Sequence, residues 1–304
     1  MKPTFGFAIP CFNEAQNLSD LLPILDRIKI GDRAARRFAV VSDASRDGTD
    51  EIVLEFAKKT GTPVELMTNE KRIGKARAVN RCIRALRDVD VIVLVSADVR
   101  PQEGCIRRLV EAFEDDSVGV AGGRVVPFGI EGNVAFEVTR LLWNLHHVIA
   151  TRFPKTTEIT AFRNRVDHID ETSLVDEAEL EARLNKKGLV TRYIPEALIF
   201  SPSPLRLADY FKRRAAITLG YLRLRRNHRH FVATQSIRER ARAIRELRRT
   251  SRISVGTIVL AIVMETLVLG WARAQFVTGF GKSGIWARSE STKRALAQEQ
   301  LVPL

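Results

Sequence analysis

Two short apolar runs in this chain each end in an acidic loop. One is Phe38-Ala-Val-Val-Ser-Asp-Ala-Ser-Arg-Asp-Gly-Thr49; the other is Val91-Ile-Val-Leu-Val-Ser-Ala-Asp-Val-Arg-Pro101. Ligands of open α/β sheets bind beyond the carboxyl ends of the strands. Carboxylates planted there, at Asp43 and Asp98, suit a base and ribose to hydrogen-bond, or a metal to hold. A nucleoside diphosphate with a divalent cation needs both. A local reading stands beside this one. Asp43 and Asp47 are also turn and cap residues, and Asp98 could cap a following helix. The strand-end position favours ligand or metal for Asp43 and Asp98, and the cap for Asp47.

The elements that must carry these loops alternate. Phe5–Ile9 reads as a strand, and a helix capped at Asn17 or Ser19 follows, with Leu18, Leu21, Leu22 and Leu25 on one face. Phe38–Ser42 is a strand, Glu51–Thr60 a helix and Val64–Met67 a strand. Gly74 opens a helix over Lys75–Arg87, and Val91–Val95 is an apolar run of the kind buried on both faces. A helix is expected from Pro101 through Phe113, then a strand at Val118–Val120. The pattern predicts an α/β fold with a doubly wound, mainly parallel sheet. Further on, Asn133–Phe153 is amphipathic, Leu174–Lys187 is an acidic helix and Tyr193–Phe200 is a strand. Asp176 and Glu177 on that acidic helix are either a solvated face or a catalytic pair. Gly122-Gly123 is either a close backbone approach to a ligand or a strand-end bend.

The chain has 304 residues, 45% hydrophobic and 28% charged, enough for a sizeable core. Cys11, Cys82 and Cys105 have no metal spacing and read as reduced thiols. The N-terminus runs straight into the first strand, without the pattern of a signal peptide. The net charge of +13 is concentrated: residues 205–252 hold fifteen Lys/Arg against three Asp/Glu. One basic block points to one local partner surface. His228 and His230, a loose pair inside it, read as surface or headgroup contacts. The block runs into the apolar stretch 253–272, whose one charge is Glu265. As a helix that stretch would reach ~30 Å, about one hydrocarbon core. Basic residues beside it suit an anionic membrane surface on the cytoplasmic side. A buried core helix is the alternative, and Glu265 would be costly in lipid unless paired.

Several of these segments together resemble glycosyltransferase family 2, the inverting nucleotide-sugar enzymes with the GT-A fold. The likeness spans roughly residues 4–225. Ile9-Pro-Cys-Phe-Asn-Glu14 and Val41-Ser-Asp-Ala-Ser-Arg-Asp-Gly-Thr49 look like the family's first two strand motifs. Arg72-Ile-Gly-Lys-Ala-Arg-Ala-Val-Asn80 is similar to its Gly-Lys helix. Val95-Ser-Ala-Asp-Val-Arg-Pro101 sits where its metal-binding Asp-x-Asp belongs, and Val175-Asp-Glu-Ala-Glu-Leu180 where its base motif belongs. The resemblance implies that Pro10, Asn13 and Glu14 lie along the nucleoside and that Asp43 reads the base edge, which suits uracil. It implies that Arg72 and Lys75 meet phosphate or base, and that Asp98 holds Mn²⁺ or Mg²⁺. Glu177 is the expected general base, with Asp176 next. Lys212, Arg213 and Arg214 are expected at the diphosphate or acceptor.

Three departures matter. Ser96 replaces the first Asp of Asp-x-Asp, the acidic pair is reversed as Asp176-Glu177, and no Gln-x-x-Arg-Trp is present, so single sugar addition is expected. Gly284-Ile-Trp-Ala-Arg-Ser-Glu-Ser-Thr-Lys-Arg294 resembles a tail motif of membrane-bound relatives. The expected organisation is a GT-A catalytic region over 1–204, a basic helical region over 205–252 and an apolar segment with a basic tail over 253–304. The expected activity moves a sugar, from a UDP-sugar by preference, to a lipid-linked or glycan acceptor at the cytoplasmic face of the cell membrane. The alternatives are a sugar nucleotidyltransferase, which wants a Gly-rich phosphate loop after the first strand, and a nucleic-acid-binding protein. No nucleic-acid partner is expected, because the basic block lacks interleaved aromatics.

Overall fold

Strand β1 (Phe5–Cys11) is buried along its whole length, and its side chains divide between two cores. Phe5, Phe7 and Ile9 point into one core and Ala8 into the other, as a period of two requires. The computed structural model describes residues 3–30, 33–35, 37–250 and 253–279. The tail motif at 284–294 lies outside them.

The elements follow in order: α1 (Ala15–Asp26), a small hairpin of β2 (Lys29–Ile30) and β3 (Arg33–Ala34), β4 (Phe38–Ser42), α2 (Thr49–Thr60), β5 (Val64–Thr68), α3 (Lys75–Ala85) and β6 (Val91–Val95). Then come β7 (Arg100–Pro101), α4 (Cys105–Glu111), β8 (Val118–Phe128), α5 (Val134–Ala150), β9 (Ile159–Arg163), α6 (Asp176–Lys186) and β10 (Val190–Pro202). Three helices close the described chain: α7 (Leu207–His228), α8 (Ile237–Thr250) and α9 (Val255–Thr278).

Eight strands form one sheet in the order β5-β4-β1-β6-β9-β8-β10-β7. Strands β5, β4, β1 and β6 run parallel; β9 is antiparallel to both β6 and β8. Helices α1, α2 and α4 cover one face, with Leu18, Leu21, Leu22 and Leu25 fully buried. Helices α3 and α6 cover the other through Val79, Cys82, Ile83, Leu180 and Leu184. Truncating one such leucine to alanine typically costs about 2–5 kcal/mol. A third core joins α5, α8 and α9 through Leu141, Leu145, Ala243, Leu247 and Ala261. Cys11, Cys82 and Cys105 are all buried thiols.

Local chemistry sets several ends. Asn133 caps α5 by accepting the Ala135 and Phe136 N–H groups at 3.0 and 3.1 Å. Asp47 serves two helices: it accepts the Thr49 and Ala15 N–H groups, both at 3.2 Å. This is the cap role expected of it.

Four sequence expectations change. Helix α1 starts at Ala15, so Asn17 lies inside it and donates its side-chain amide to Glu14 at 2.7 Å instead of capping. Pro101 begins no helix; it pairs with Ile199 of β10, and α4 waits for Gly104 in the left-handed region at φ 75°. Strand β8 passes through Gly122-Gly123 instead of ending there. A Cβ on Gly122 would sit 2.8 Å from Thr156 Cα, and one on Gly123 2.2 Å from the Ala197 carbonyl oxygen. The close approach is of backbone to backbone. Finally, His228 and His230 face α6 rather than solvent, with Nε2 atoms 3.7 Å from Glu179 and 3.3 Å from Glu181.

Candidate active site

The carboxyl ends of β1, β4 and β6 open into a cavity of about 820 Å³ that continues between α5, α7 and α9. Its near end is built by loops. Asp43 is only 4% exposed. One of its oxygens accepts the Asn69 amide at 3.0 Å and the Ile73 N–H at 2.7 Å; the other accepts the Gly74 N–H at 2.9 Å. Gly74 takes φ 92°, a conformation side chains resist, so its N–H can turn to Asp43 as α3 begins. Asp43 therefore fastens the 69–74 loop to the cavity wall. That loop carries Arg72, whose guanidinium lies 4.0 Å over the Phe12 ring. The pair makes a flat, cationic wall of the kind on which bases stack. Asn13 does not line the cavity: its side-chain carbonyl accepts the Arg46 N–H at 2.8 Å and ties the loop after β1 to the acidic loop after β4.

At the middle, Ser96, Ala97 and Asp98 follow β6. The Ser96 N–H donates to the Glu158 carbonyl at 3.3 Å. Glu158 arrives on the loop before β9, and its carboxylate pairs with Arg213 of α7. Burial pushes the Glu158 carboxyl up; Arg213 pulls it back, and the nearby Asp98 charge adds to the rise. Glu158 Oε2 is buried without a hydrogen-bond partner. Among the described residues no group of three or more His, Cys, Asp or Glu could hold a metal alone. Asp98 with Glu158 nonetheless fits a hard cation that completes its shell with phosphate and water oxygens.

Opposite them, Asp176 and Glu177 open α6 and share one partner. Lys75 Nζ lies 3.0 Å from Asp176 Oδ2 and 2.8 Å from Glu177 Oε1. Lys75 is thus turned onto the acidic pair, not set apart for a diphosphate. Burial, and then the charge of Glu177, push the Asp176 carboxyl up to about 6, against the pull of Lys75. Burial would raise Glu177 too, but Lys75 and Lys155 hold it below the ordinary carboxylate range. Glu177 keeps 21% of its side chain exposed, whereas Asp176 keeps 3%. The arrangement offers one ionised carboxylate to the cavity with a second acid behind it.

The far end is walled by Leu142, Trp143, Tyr210, Ile217 and Trp271. Lys155, 6% exposed, also lines it, with its ammonium 5.0 Å from the Tyr221 ring centroid. His146 stands beside Trp143; burial, then Lys155, push it down to about 3, so its ring is neutral. The expected basic trio divides. Lys212 is exposed at the rim, Arg213 turns to Glu158, and Arg214 turns to Glu265 of α9.

The cavity therefore gathers Pro10, Glu14, Asp43, Arg72, Lys75, Asp98, Asp176, Glu177 and the 212–214 segment. Phe12, Lys155, Glu158 and Trp271 join them unforeseen. Phe12 lies inside the Ile9–Glu14 segment after the first strand; the others carry no local signal.

The family model described as glycosyl transferase family 2 matches residues 7–171, and that described as glycosyl transferase family group 2 matches 91–280. An uncharacterized protein of Methanocaldococcus jannaschii is 32% identical over 118 residues, 38% of this chain and 49% of its own length. The dolichol-phosphate mannosyltransferase of Pyrococcus furiosus is 32% identical over 130 residues, 42% of this chain and 35% of its own length. The match thus spans half or less of either relative. Among solved structures, a mannosyltransferase of Pyrobaculum calidifontis in complex with GDP-Man and Mn²⁺ superposes with TM-score 0.59 at 18% identity, covering 93% of this chain and 86% of that one. A mannosyl-3-phosphoglycerate synthase of Rubrobacter xylanophilus gives TM-score 0.50 at 15% identity, covering 75% and 76%. These likenesses show the fold.

Proposed function

Because this chain belongs to glycosyl transferase family 2, we propose that it moves a sugar from a nucleoside diphosphate donor to a lipid-linked acceptor at the cytoplasmic membrane face. One observation carries this reading. A single cavity joins strand-end acids, an ionised carboxylate and an apolar far wall that reaches α9. The first suits a nucleotide, the second an acceptor hydroxyl or phosphate, and the third an apolar chain rather than a glycan.

Phe12 and Arg72 would stack the base, with Glu14 beside the ribose. The lone pairs of Asp43 are largely taken by Asn69, Ile73 and Gly74, which weakens the uracil preference expected of it. Uridine and guanosine diphosphate sugars are both donors to test. Asp98 and Glu158 would hold Mn²⁺ or Mg²⁺. A bound divalent cation would offset the charge that grows on the departing diphosphate. Arg213, paired beside Asp98, adds positive charge on the same side.

In the reaction the acceptor oxygen forms a bond to the anomeric carbon while the bond from that carbon to the diphosphate oxygen breaks. A hydroxyl acceptor gives its proton to Glu177. Attack from the face opposite the leaving group inverts the anomeric centre. Lys75 positions the base; Asp176, buried behind it, keeps a proton to higher pH.

The test is a panel of UDP- and GDP-sugars presented to the full chain with Mn²⁺, read as nucleotide-dependent thermal shift and as release of nucleoside diphosphate when membrane lipid extract is added. A donor that binds and is consumed with lipid supports the reading. No shift with any donor sinks it.

A further inference from the structure

Helix α9 has two unlike strips. Ala261, Val268 and Ala272, at helical spacing with Glu265, are buried against the body of the protein. Glu265 is clamped from that side. Its carboxylate accepts two bonds from Arg214 at 2.9 and 2.7 Å, one from the Tyr210 hydroxyl at 2.9 Å and one from Arg240 at 3.2 Å. The other strip is Val255, Val259, Ile262, Val263, Leu267 and Trp271, each between 49% and 59% exposed. Helix α8 joins the same apolar cluster and leaves Arg238, Arg242, Arg245, Arg248 and Arg249 exposed.

By length and composition α9 could cross a membrane. Its fastening argues otherwise. Among the described residues α9 is the one candidate span, and a helix that crosses alone meets hydrocarbon on every side over ~30 Å. Here one strip is tied to α5 and α7, and pulling it away would expose an unpaired carboxylate to lipid and leave two arginines behind.

We propose that α9 lies along the plane of an anionic bilayer, its exposed apolar strip sunk into the headgroup boundary and the arginines of α8 on the phosphates. Interfacial helices of this build sink an apolar face ~5–10 Å and add charge attraction. A bilayer is the occupant that charge selects. A second copy seated on this face would bring a second row of exposed arginines toward the first. The inference deepens the membrane part of the function proposed above, and its test does not depend on turnover.

Four full-length variants, Val255→Cys, Val259→Cys, Val263→Cys and Leu267→Cys, carry an environment-sensitive fluorophore on that one exposed thiol. The native cysteines are buried and stay unlabelled. Each is mixed with phosphatidylcholine vesicles with and without phosphatidylglycerol, and depth is read with lipids quenched at known positions along the chain. Equal, shallow depth at all four sites, requiring phosphatidylglycerol, is the expected result. A steady change in depth approaching ~18 Å from 255 to 267, the rise of twelve helical residues, would overturn it in favour of crossing. Labels shielded without lipid, in a species sedimenting as a dimer, would overturn it in favour of a second copy. The doubly charged variant Ile262→Asp, Leu267→Asp should lower the vesicle-bound fraction at least about ten-fold; unchanged binding would also overturn the proposal. Donor binding without vesicles, measured on the same samples, speaks only to the function reading.

Discussion

Lys75 and Glu177 meet at 2.8 Å although they lie 102 residues apart, and this pair ties the first turn of α3 to the first turn of α6 across the cavity. Lysine holds the carboxylate ionised, and the carboxylate holds the lysine away from the solvent. Removing the carboxylate charge should stop chemistry without stopping donor binding. Glu177→Gln is expected to lower kcat ~10²–10⁴-fold with donor affinity within a few-fold, as loss of a general base does. Steady-state rates beside calorimetric donor affinity check this. A dead Asp176→Asn with an active Glu177→Gln would move the base one residue back.

Lys75→Met should shift the acidic limb of the pH–rate profile upward. Lys75 favours the ionised form of Glu177, so its loss lets the carboxyl take a proton at higher pH. A profile that keeps its limb and merely drops in height would show that Lys75 serves packing alone.

Asp176 should also mark the stability curve. Its folded pKa of about 6 exceeds the ordinary 3.8, so the stability it contributes is complete at low pH and fades as pH rises between those values. Asp176→Asn should flatten that segment of a urea-denaturation series. An identical slope in both proteins would contradict the assignment.

Phe12→Ala should raise the donor KM far more than it lowers kcat. Stacking on an aromatic is worth ~1–3 kcal/mol per base, or roughly five- to hundred-fold in affinity. Fluorescence titration with the nucleoside diphosphate alone measures it. Equal affinity in the variant would place the base elsewhere.

Glu265→Ala should destabilise the protein by about 3–5 kcal/mol, because two arginines lose their shared partner in a poorly solvated wall. Chemical denaturation gives the number. A change within 0.5 kcal/mol, the usual size for surface positions, would mean the clamp is slack.

What the chain discloses in its order of residues depends on range. Strands β1, β4 and β6 were legible because a central parallel strand is one apolar run, and the acids at their ends follow directly. The cap at Asp47 was legible because its partners include a residue two positions away. Strand β9 was not: Ile-Thr-Ala-Phe-Arg is short, and nothing local says that it drops antiparallel between β6 and β8. Glu158 and Lys155 enter the cavity only because β9 does so. The work of Lys75 stayed hidden for a similar reason, since it exists only once α6 packs across α3. Glu265 read as a cost in a membrane segment, and its partners on α7 and α8 remove that cost.

The bare backbone at Gly122 and Gly123 gives this cavity its manufacturing tolerance. Neither residue lines the cavity, yet a single methyl at Gly122 would collide with Thr156, one residue after Lys155 and two before Glu158. The path of the segment that carries Glu158 into the site is thus gauged from beneath by the missing side chain of Gly122, while Gly123 makes room for the backbone of Ala197. An alanine at either position would have to push neighbouring backbone aside, so these strand positions should tolerate less variation than several residues that line the cavity.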